Sequence, residues 1–160
     1  MSAEIVPLNG AHDVTQLNCG VPEFDEWLKK TARTSEERDL ARTYVIADEN
    51  DVVIACRALV ASSMESSALT SNNRHGLPRF IPAILLGRLA VDLEHKGLRS
   101  AFLGHACRTA VEVSGQVGAR YLFADAMNEA ARSWYLKKEM KAVNDSNVCY
   151  ARIKDLRAEV

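Results

Sequence analysis

The sequence has no long apolar run, no closely spaced pair of cysteines and no excess of charge of one sign. Its longest apolar run covers residues 81–86 and ends near Arg88, whereas a membrane-spanning helix needs roughly 18–20 apolar residues. The first residues do not combine a basic region with an apolar one, as a secretory signal would. From these absences we expect a soluble protein of the cytoplasm.

The near-neutral charge of the chain limits which partners its composition can indicate. Lys and Arg together number 20, Asp and Glu number 21, and the net charge is −1 at pH 7. Such a chain has no global field that attracts nucleic acid, so a tRNA or DNA partner would need a local basic patch. With 48% apolar residues the chain is too hydrophobic to be disordered, and its length predicts one compact domain, residues 1–160.

The cysteines and histidines do not have the spacing of a metal site. The sequence contains neither a C-x-x-C pair nor two histidines at positions i and i+4, and we therefore predict no bound metal. The cysteines are expected to be reduced and mostly buried thiols. They are Cys19, Cys56, Cys107 and Cys149.

In the first half of the chain, the sequence predicts two short helices, a hairpin and a further strand. Residues 22–30 begin with Pro22 and carry an apolar stripe at Phe24, Trp27 and Leu28, which is typical of an amphipathic helix. The polar residues 31–40 predict a second helix that is solvated on most sides. Further along we expect an antiparallel hairpin at 43–47 and 52–60, a long exposed loop at 62–79 and a strand at 81–92.

In the second half, predicted helices alternate with strands. Apolar residues recur every three or four positions from 98 to 117, which indicates a long helix that ends at Gly118. We then expect a strand at 121–126, a helix at 130–139 with Asn128 as its N-cap, and a last strand at 148–153. This order of elements predicts an α/β layer fold on a mixed sheet.

Residues 92–100 connect a predicted strand to the long helix through a turn that contains Gly97. Such a turn presents backbone N–H groups and the positive end of a helix, which suits a pyrophosphate. A plain connector between a strand and a helix has the same sequence features. On local grounds both interpretations stay open.

Several motifs that span residues 17–156 resemble one family. They are LNCG at 17–20, DEWL at 25–28, ARTYV at 41–45, Arg74, IP at 81–82, LGRLAVD at 86–92, and the spaced Asn128, Ala131 and Tyr135. Together they resemble the GNAT superfamily of N-acetyltransferases, and within it the toxins of toxin–antitoxin pairs that acetylate aminoacyl-tRNA. The stretch at 86–92 is the most specific of these motifs.

This resemblance implies a central mixed, mostly antiparallel sheet flanked by helices, with a V-shaped split that binds acetyl-CoA. The backbones of Leu89, Ala90 and Val91 would pair with the pantetheine arm, and a backbone N–H there would polarise the thioester oxygen. Asn128 would touch the same arm, although it also suits a simple N-cap. Tyr135 would be the general acid that protonates the departing CoA thiolate, with a core tyrosine as the alternative.

The chain departs from the family in its pyrophosphate loop. Glu94 stands where the family has Gln or Arg, and Arg99 stands where it has Gly or Ala, while Gly97 keeps the middle position. A carboxylate beside a pyrophosphate is repulsive, whereas Arg99 could either pair with a phosphate or fill the space in which the phosphate approaches the backbone. These departures are compatible with a reduced affinity for acetyl-CoA and a weakened activity. Positive potential is still offered by Lys96 and by the backbone amides of Leu98, Arg99 and Ser100.

A charged tRNA acceptor would need phosphate contacts from a basic rim. The candidates, each of which could instead be a solvated surface charge, are Lys29, Lys30, Arg33, Arg74, Arg79, Lys137, Lys138 and Lys141. The resemblance also implies a ribbon-helix-helix antitoxin as partner, and a homodimer. Two other functions stay open: acetylation of a small amine or a protein N-terminus, and a protein-binding module whose binding of CoA is impaired.

Overall fold

A computed structural model of the chain describes residues 4–159. Its helices are α1 Pro22–Lys30, α2 Ala32–Glu37, α3 Ser71–Arg74, α4 Arg99–Ser114, α5 Glu129–Lys137 and α6 Ile153–Glu159. Its strands are β1 Val6–Pro7, β2 Arg42–Ala47, β3 Val53–Glu65, β4 Phe80–Val91, β5 Tyr121–Asp125, β6 Lys141–Ala142 and β7 Val148–Arg152. Two 3-10 turns cover Ser66–Ala68 and Leu93–Leu98.

The strands form one sheet in the order β1-β2-β3-β4-β5-β7-β6. β4 and β5 are parallel, and their register runs from Ala83↔Tyr121 to Leu86↔Ala124. The pairs β1–β2, β2–β3, β5–β7 and β6–β7 are antiparallel. The prediction of a mixed, mostly antiparallel sheet with helices is therefore confirmed, as is the predicted hairpin, which consists of β2 and β3.

The described residues divide into two compact units. One unit comprises residues 4–60 and 87–106, and the other comprises residues 61–86 and 107–159. The boundary between them falls within β3, β4 and α4. The single domain expected for residues 1–160 stays a prediction.

The first unit has two apolar clusters, because successive residues of a strand point to opposite faces of a sheet. Leu28 of α1 belongs to one cluster, and Phe102 of α4 belongs to the other. The adjacent strand residues that divide between the two clusters are Val45 and Ile46, Ala55 and Cys56, and Ala90 and Val91. The strands are thus held by apolar packing on both faces.

The second unit has its own apolar cluster around Tyr121 of β5. Met64 of β3 and Ile81 of β4 are buried in this cluster, and Tyr150 of β7 packs against it. The rings of Tyr121 and Tyr150 meet edge to face with their centroids 5.4 Å apart, a favoured geometry for an aromatic pair. The cluster therefore connects four strands, β3, β4, β5 and β7, through side-chain packing.

The predicted helix at 22–30 is confirmed at both ends, but other boundaries differ. β3 continues to Glu65, so the connection to β4 starts later than predicted and contains the 3-10 turn Ser66–Ala68 and the single-turn α3. The predicted helix at 98–117 is wrong at its C-terminal end, because α4 ends at Ser114. Val113 and Val117 had extended the apolar pattern, yet they are 42% and 67% exposed.

The four cysteines are free, as predicted. Cys19, Cys56 and Cys149 are buried, and Cys107 is half-buried. Burial raises the pKa of Cys19 to about 11 and that of Cys56 to about 12, because a thiolate is poorly solvated in an apolar core. These thiols are packing residues rather than nucleophiles. Within residues 4–159, no helix combines the length and apolar character that crossing a bilayer requires.

Glu139 follows α5 in a left-handed backbone conformation with φ of +68°. Helices often end on such a residue, and glycine suits it because it has no Cβ. Here Glu139 donates its N–H to the carbonyl of Leu136, and the next residue, Met140, is 6% exposed. Glutamate thus occupies a position whose backbone favours glycine, and methionine fills the buried position after it.

We predict that Glu139→Gly stabilises the protein by about 0.5–1 kcal/mol, because relief of the left-handed strain exceeds the added chain entropy. The melting temperature should rise by about 1–4 °C in calorimetry. Lys138→Gly is the matched control, since Lys138 has φ of −92° and should gain nothing from glycine. An unchanged or lower melting temperature for Glu139→Gly would contradict the strain at this position.

Candidate functional site

The turn after β4 is fixed by the carboxylate of Asp92. One carboxylate oxygen accepts the N–H of Glu94 at 3.0 Å, and the other accepts the N–H of Asn18 at 3.2 Å. The N–H of Leu93 donates to the carbonyl of Asn18 at 3.0 Å, and the N–H of Asp92 donates to the carbonyl of Ile54 at 2.9 Å. The turn is therefore tied to β3 and to the segment before α1.

The turn runs directly into α4. The 3-10 turn Leu93–Leu98 ends where α4 begins, and the N–H of Arg99 donates to the carbonyl of Lys96. The amide of Arg99 is thus part of the helical hydrogen bonding, so its predicted role toward a phosphate would fall to its half-buried side chain. The other predicted residues of this segment are exposed or half-buried: Lys96, Gly97 and Ser100 are exposed and Leu98 is half-buried.

Gly97 is not required by the fold. A Cβ built on it would meet no heavy atom within 4 Å, and its φ lies outside the left-handed region that favours glycine. The surface above this turn is therefore open. A ligand that approaches the backbone would give a reason for glycine at this position that the protein itself does not give.

The same turn holds one group of potential metal ligands. Ligand atoms of Asp92, Glu94 and His95 lie within 4.8 Å of one another. Both oxygens of Asp92 already accept backbone N–H groups, and Glu94 and His95 are exposed. This arrangement alone assigns no metal site, and the absence of a metal stays a prediction.

The end of β4 offers its backbone rather than its side chains. Ala90 and Val91 are each 2% exposed and lie in the two apolar clusters of the first unit, and Leu89 packs against one of these clusters. The register with β5 ends at Leu86↔Ala124, before these residues. Any ligand of this segment would therefore meet main-chain N–H and C=O groups.

Tyr135 lies on α5 and Asn128 is the N-cap residue of this helix, both in the second unit, whereas the predicted residues 89–100 lie in the first. The side-chain oxygen of Asn128 accepts the N–H of Ala131 at 2.8 Å, which confirms its prediction as an N-cap. Tyr135 is 6% exposed, and its ring packs edge to face on Trp134 with the centroids 5.2 Å apart. A contact of Asn128 with pantetheine and an acid role for Tyr135 stay predictions.

Several cations of the predicted tRNA rim already have partners within the chain. Lys29 and Lys30 both pair with Glu26, at 3.6 and 2.9 Å. Arg79 pairs with Glu65 at 3.5 Å, and Arg33 donates to two backbone carbonyls. The remaining rim residues lie in the second unit: Arg74, Lys137 and Lys141 are exposed, and Lys138 lies 5.6 Å over the ring of Trp134.

Sequence reasoning missed a buried cation on β3. Arg57 is 0% exposed, its Nη2 lies 2.8 Å from Nδ1 of His105, and its guanidinium lies 4.6 Å over the ring of Tyr44. Burial lowers the pKa of Arg57 to about 10. Since a guanidinium only donates, Nδ1 of His105 accepts in this contact. A single arginine inside the apolar run of β3 was the sequence feature that could have revealed it.

Sequence reasoning also missed the position of a second cation, Arg88 on β4. The guanidinium of Arg88 on β4 lies 5.2 Å over the ring of Trp27 and 5.7 Å over that of Phe24, both on α1. Such contacts hold an arginine against aromatic faces and contribute about 0.5–1 kcal/mol each. Two residues of the predicted apolar stripe of α1 therefore serve as a platform for this arginine.

Comparison with known proteins places this arrangement in one family. A tRNA-acetylating toxin of Mycobacterium tuberculosis (strain ATCC 25618 / H37Rv) is 30% identical over 131 residues, which are 81% of this chain and 78% of the toxin. A tyrosine-to-phenylalanine mutant of KacT has a similar crystal structure, with a TM-score of 0.93, 22% identity and full coverage of both chains. AtaT complexed with acetyl-methionyl-tRNAfMet gives a TM-score of 0.89, with 23% identity over 99% of both chains.

No family model matches the chain. The two solved structures share the fold at low identity, and the mycobacterial relative shares both sequence and length. The GNAT-type fold predicted from the sequence is confirmed by these matches. The chain belongs to the family of tRNA-acetylating toxins.

Proposed function

We propose that this chain transfers an acetyl group from acetyl-CoA to the amino group of aminoacyl-tRNA and so blocks translation. Its curated relative is described as a tRNA-acetylating toxin, and AtaT was solved with acetyl-methionyl-tRNAfMet. AtaTR was solved bound with AcCoA, which supports acetyl-CoA as the acetyl donor here. Acetylation converts the amine of the aminoacyl group into an amide, which cannot act as the nucleophile in peptide-bond formation on the ribosome.

The observation that carries this proposal is the main-chain surface offered by the end of β4 and the turn after it. The side chains of Ala90 and Val91 are buried on opposite faces, so the backbone of Leu89, Ala90 and Val91 would hold the pantetheine arm. The open space above Gly97 would admit the pyrophosphate next to the backbone. Lys96, exposed in the same turn, would contribute positive charge to that phosphate.

Acetyl-CoA supplies the acetyl group as a thioester, which a substrate amine attacks with loss of the CoA thiolate. In the proposed mechanism, Tyr135 gives its phenolic proton to the thiolate sulfur and solvent takes the proton lost by the amine. The tyrosinate then regains a proton from solvent before the next turnover. A backbone N–H at the end of β4 donates to the thioester oxygen as negative charge grows on it. Tyr135 is buried, which limits the contact of its side chain with water and restricts the motion of its ring.

The departures in the pyrophosphate turn would lower affinity rather than abolish it. Glu94 is exposed, so its carboxylate can turn toward solvent and away from a phosphate. The N–H of Glu94 is held by Asp92, and the N–H of Arg99 is held by Lys96. Fewer backbone N–H groups are then free to donate to the pyrophosphate. The exposed Lys96 and Ser100 would offset part of the lost affinity.

The expected partners are an antitoxin and a second copy of the chain. A mutant of AtaT was solved bound to the C-terminus of the antitoxin AtaR, which supports an antitoxin partner for this family member. For this chain we propose a cognate antitoxin of the ribbon-helix-helix type and a homodimer. We expect the activity in the cytoplasm, because charged tRNA is used there in translation.

The activity is tested by incubating the purified protein with labelled acetyl-CoA and a set of acceptors. We predict transfer to aminoacyl-tRNA and none to polyamines or to peptide N-termini. Transfer to a polyamine or a peptide, with none to charged tRNA, would assign the chain to the small-amine or N-terminal alternative. The absence of binding heat with acetyl-CoA in calorimetry would favour a protein-binding module.

Tyr135→Phe should lower kcat for aminoacyl-tRNA about 100-fold or more, because it removes only the proton donor. The Kd for acetyl-CoA, measured by calorimetry, should stay within about twofold, since the ring and its packing remain. Tyr150→Phe is the matched control, because Tyr150 packs on Tyr121 in the same unit and has no proposed role in the reaction. Retention of full turnover by Tyr135→Phe would refute the acid role.

Gly97→Ala should weaken acetyl-CoA binding about tenfold without lowering the melting temperature. The added methyl group meets no protein atom, so only a ligand that approaches the backbone can sense it. Gly10→Ala is the control, because a Cβ at Gly10 also meets nothing within 4 Å and Gly10 lies outside the proposed site. Equal affinities for all three proteins would show that the pyrophosphate binds elsewhere.

A further inference from the structure

We propose that a basic groove in the second unit binds tRNA phosphates that lie beyond the aminoacylated 3′ end. The groove has a volume of about 350 Å³ and is formed by the beginning of β4, the residues before β5, and the junction of β7 with α6. Its cationic residues are Arg120, Arg152, Lys154 and Arg157. None of them belongs to the predicted tRNA rim, and the inference rests on the proposed function.

The groove concentrates positive charge in a protein whose net charge is −1. No Asp or Glu lines it, and none of its four cations forms an ion pair with a carboxylate among residues 4–159. Leu77 and Ile81 supply apolar wall, which lowers the local dielectric and focuses the field of the cations. A groove with one sign of charge and apolar walls is suited to a polyanion.

Hydrogen bonds of the backbone and of side chains hold two cations of the groove, Arg120 and Arg157, in place. The N–H of Arg120 donates to the carbonyl of Pro82, and the carbonyl of Arg120 accepts the N–H of Ile153. Arg157 donates to the hydroxyl of Ser114 at 3.1 Å, and Nε of Arg120 lies 3.4 Å from the hydroxyl of Tyr121. The side chains of Arg120 and Arg157 are thus oriented without being neutralised.

The chemistry of these residues suits the phosphate backbone of a nucleic acid. Three of the four cations are arginines, whose planar forks match phosphate oxygens in a bidentate manner. In contrast, Lys29, Lys30 and Arg79 of the predicted rim are already paired with carboxylates. Cations without such partners contribute more binding free energy when they displace counterions from the phosphates of a nucleic acid.

The position of the groove indicates which part of tRNA it would contact. Arg120 directly precedes β5, whereas the segment that leads to α5 and Tyr135 follows the other end of this strand. A strand of this length spans roughly 17 Å. Phosphates in the groove would therefore belong to nucleotides several positions away from the reacting amine, and the groove would act on substrate affinity rather than on chemistry.

The test compares wild-type protein with the double variant Arg152→Gln and Lys154→Gln. The double variant should raise KM for aminoacyl-tRNA roughly 5- to 20-fold at physiological salt with kcat unchanged, and should reduce the salt slope of tRNA binding by about 1.4–1.8. KM for a short aminoacylated fragment of the 3′ end should not change, because this fragment does not reach the groove. The matched control is the double variant Arg38→Gln and Arg108→Gln, two exposed cations outside the groove.

Binding of uncharged tRNA, measured by fluorescence anisotropy, separates this inference from the proposed function. Loss of tRNA affinity in the groove variant supports the groove even if the wild-type protein acetylates no aminoacyl-tRNA. Unchanged tRNA affinity and salt slope overturn it, as does an equal rise of KM for whole tRNA and for the short fragment. Loss of inhibition by the antitoxin with unchanged tRNA binding would also overturn it, and would assign the groove to a protein partner.

Discussion

The opposed burial of Ala90 and Val91 is the constraint on which the proposed acetyl-CoA site depends. Each side chain packs into a different apolar cluster of the first unit, so a rotation of the strand or a shift by one residue would remove both from the clusters in which they pack. Asp92 then fixes the turn through two backbone N–H groups. Packing thus buries the side chains of Ala90 and Val91, and the main chain is what remains for a ligand to contact.

Glu139 and Gly97 are two positions at which the suitability of glycine has different physical meanings. Glu139 occupies a left-handed position where glycine would be favoured, so its effect is on stability. Gly97 retains glycine where nothing in the fold needs it, so its effect would be on a ligand. The residue type at such a position therefore does not by itself show whether glycine would serve folding or ligand binding. The backbone φ angle distinguishes the two cases.

The local pattern was enough to predict α1, the β2–β3 hairpin, the N-cap role of Asn128 and a strand at 121–126, of which β5 covers Tyr121–Asp125. These elements depend on short-range spacing and capping chemistry, which a sequence contains in full. β1 and β6 have two residues each and carry no periodic pattern, so they were not predicted. The length of α4 was overestimated because the apolar pattern continued through valines that are exposed in the fold.

The sequence by itself determined the order of the longer strands and helices, the family resemblance and the candidate residues of the site, because these follow from residue type and local spacing. Only the tertiary structure decided that Arg79 is paired with Glu65, since these residues are 14 positions apart and meet only in the folded chain. It also decided that Arg57 is buried beside His105, and that Arg120, Arg152, Lys154 and Arg157 meet in one groove. Residues far apart in the chain come together only through packing, and their combined charge has no counterpart in local sequence.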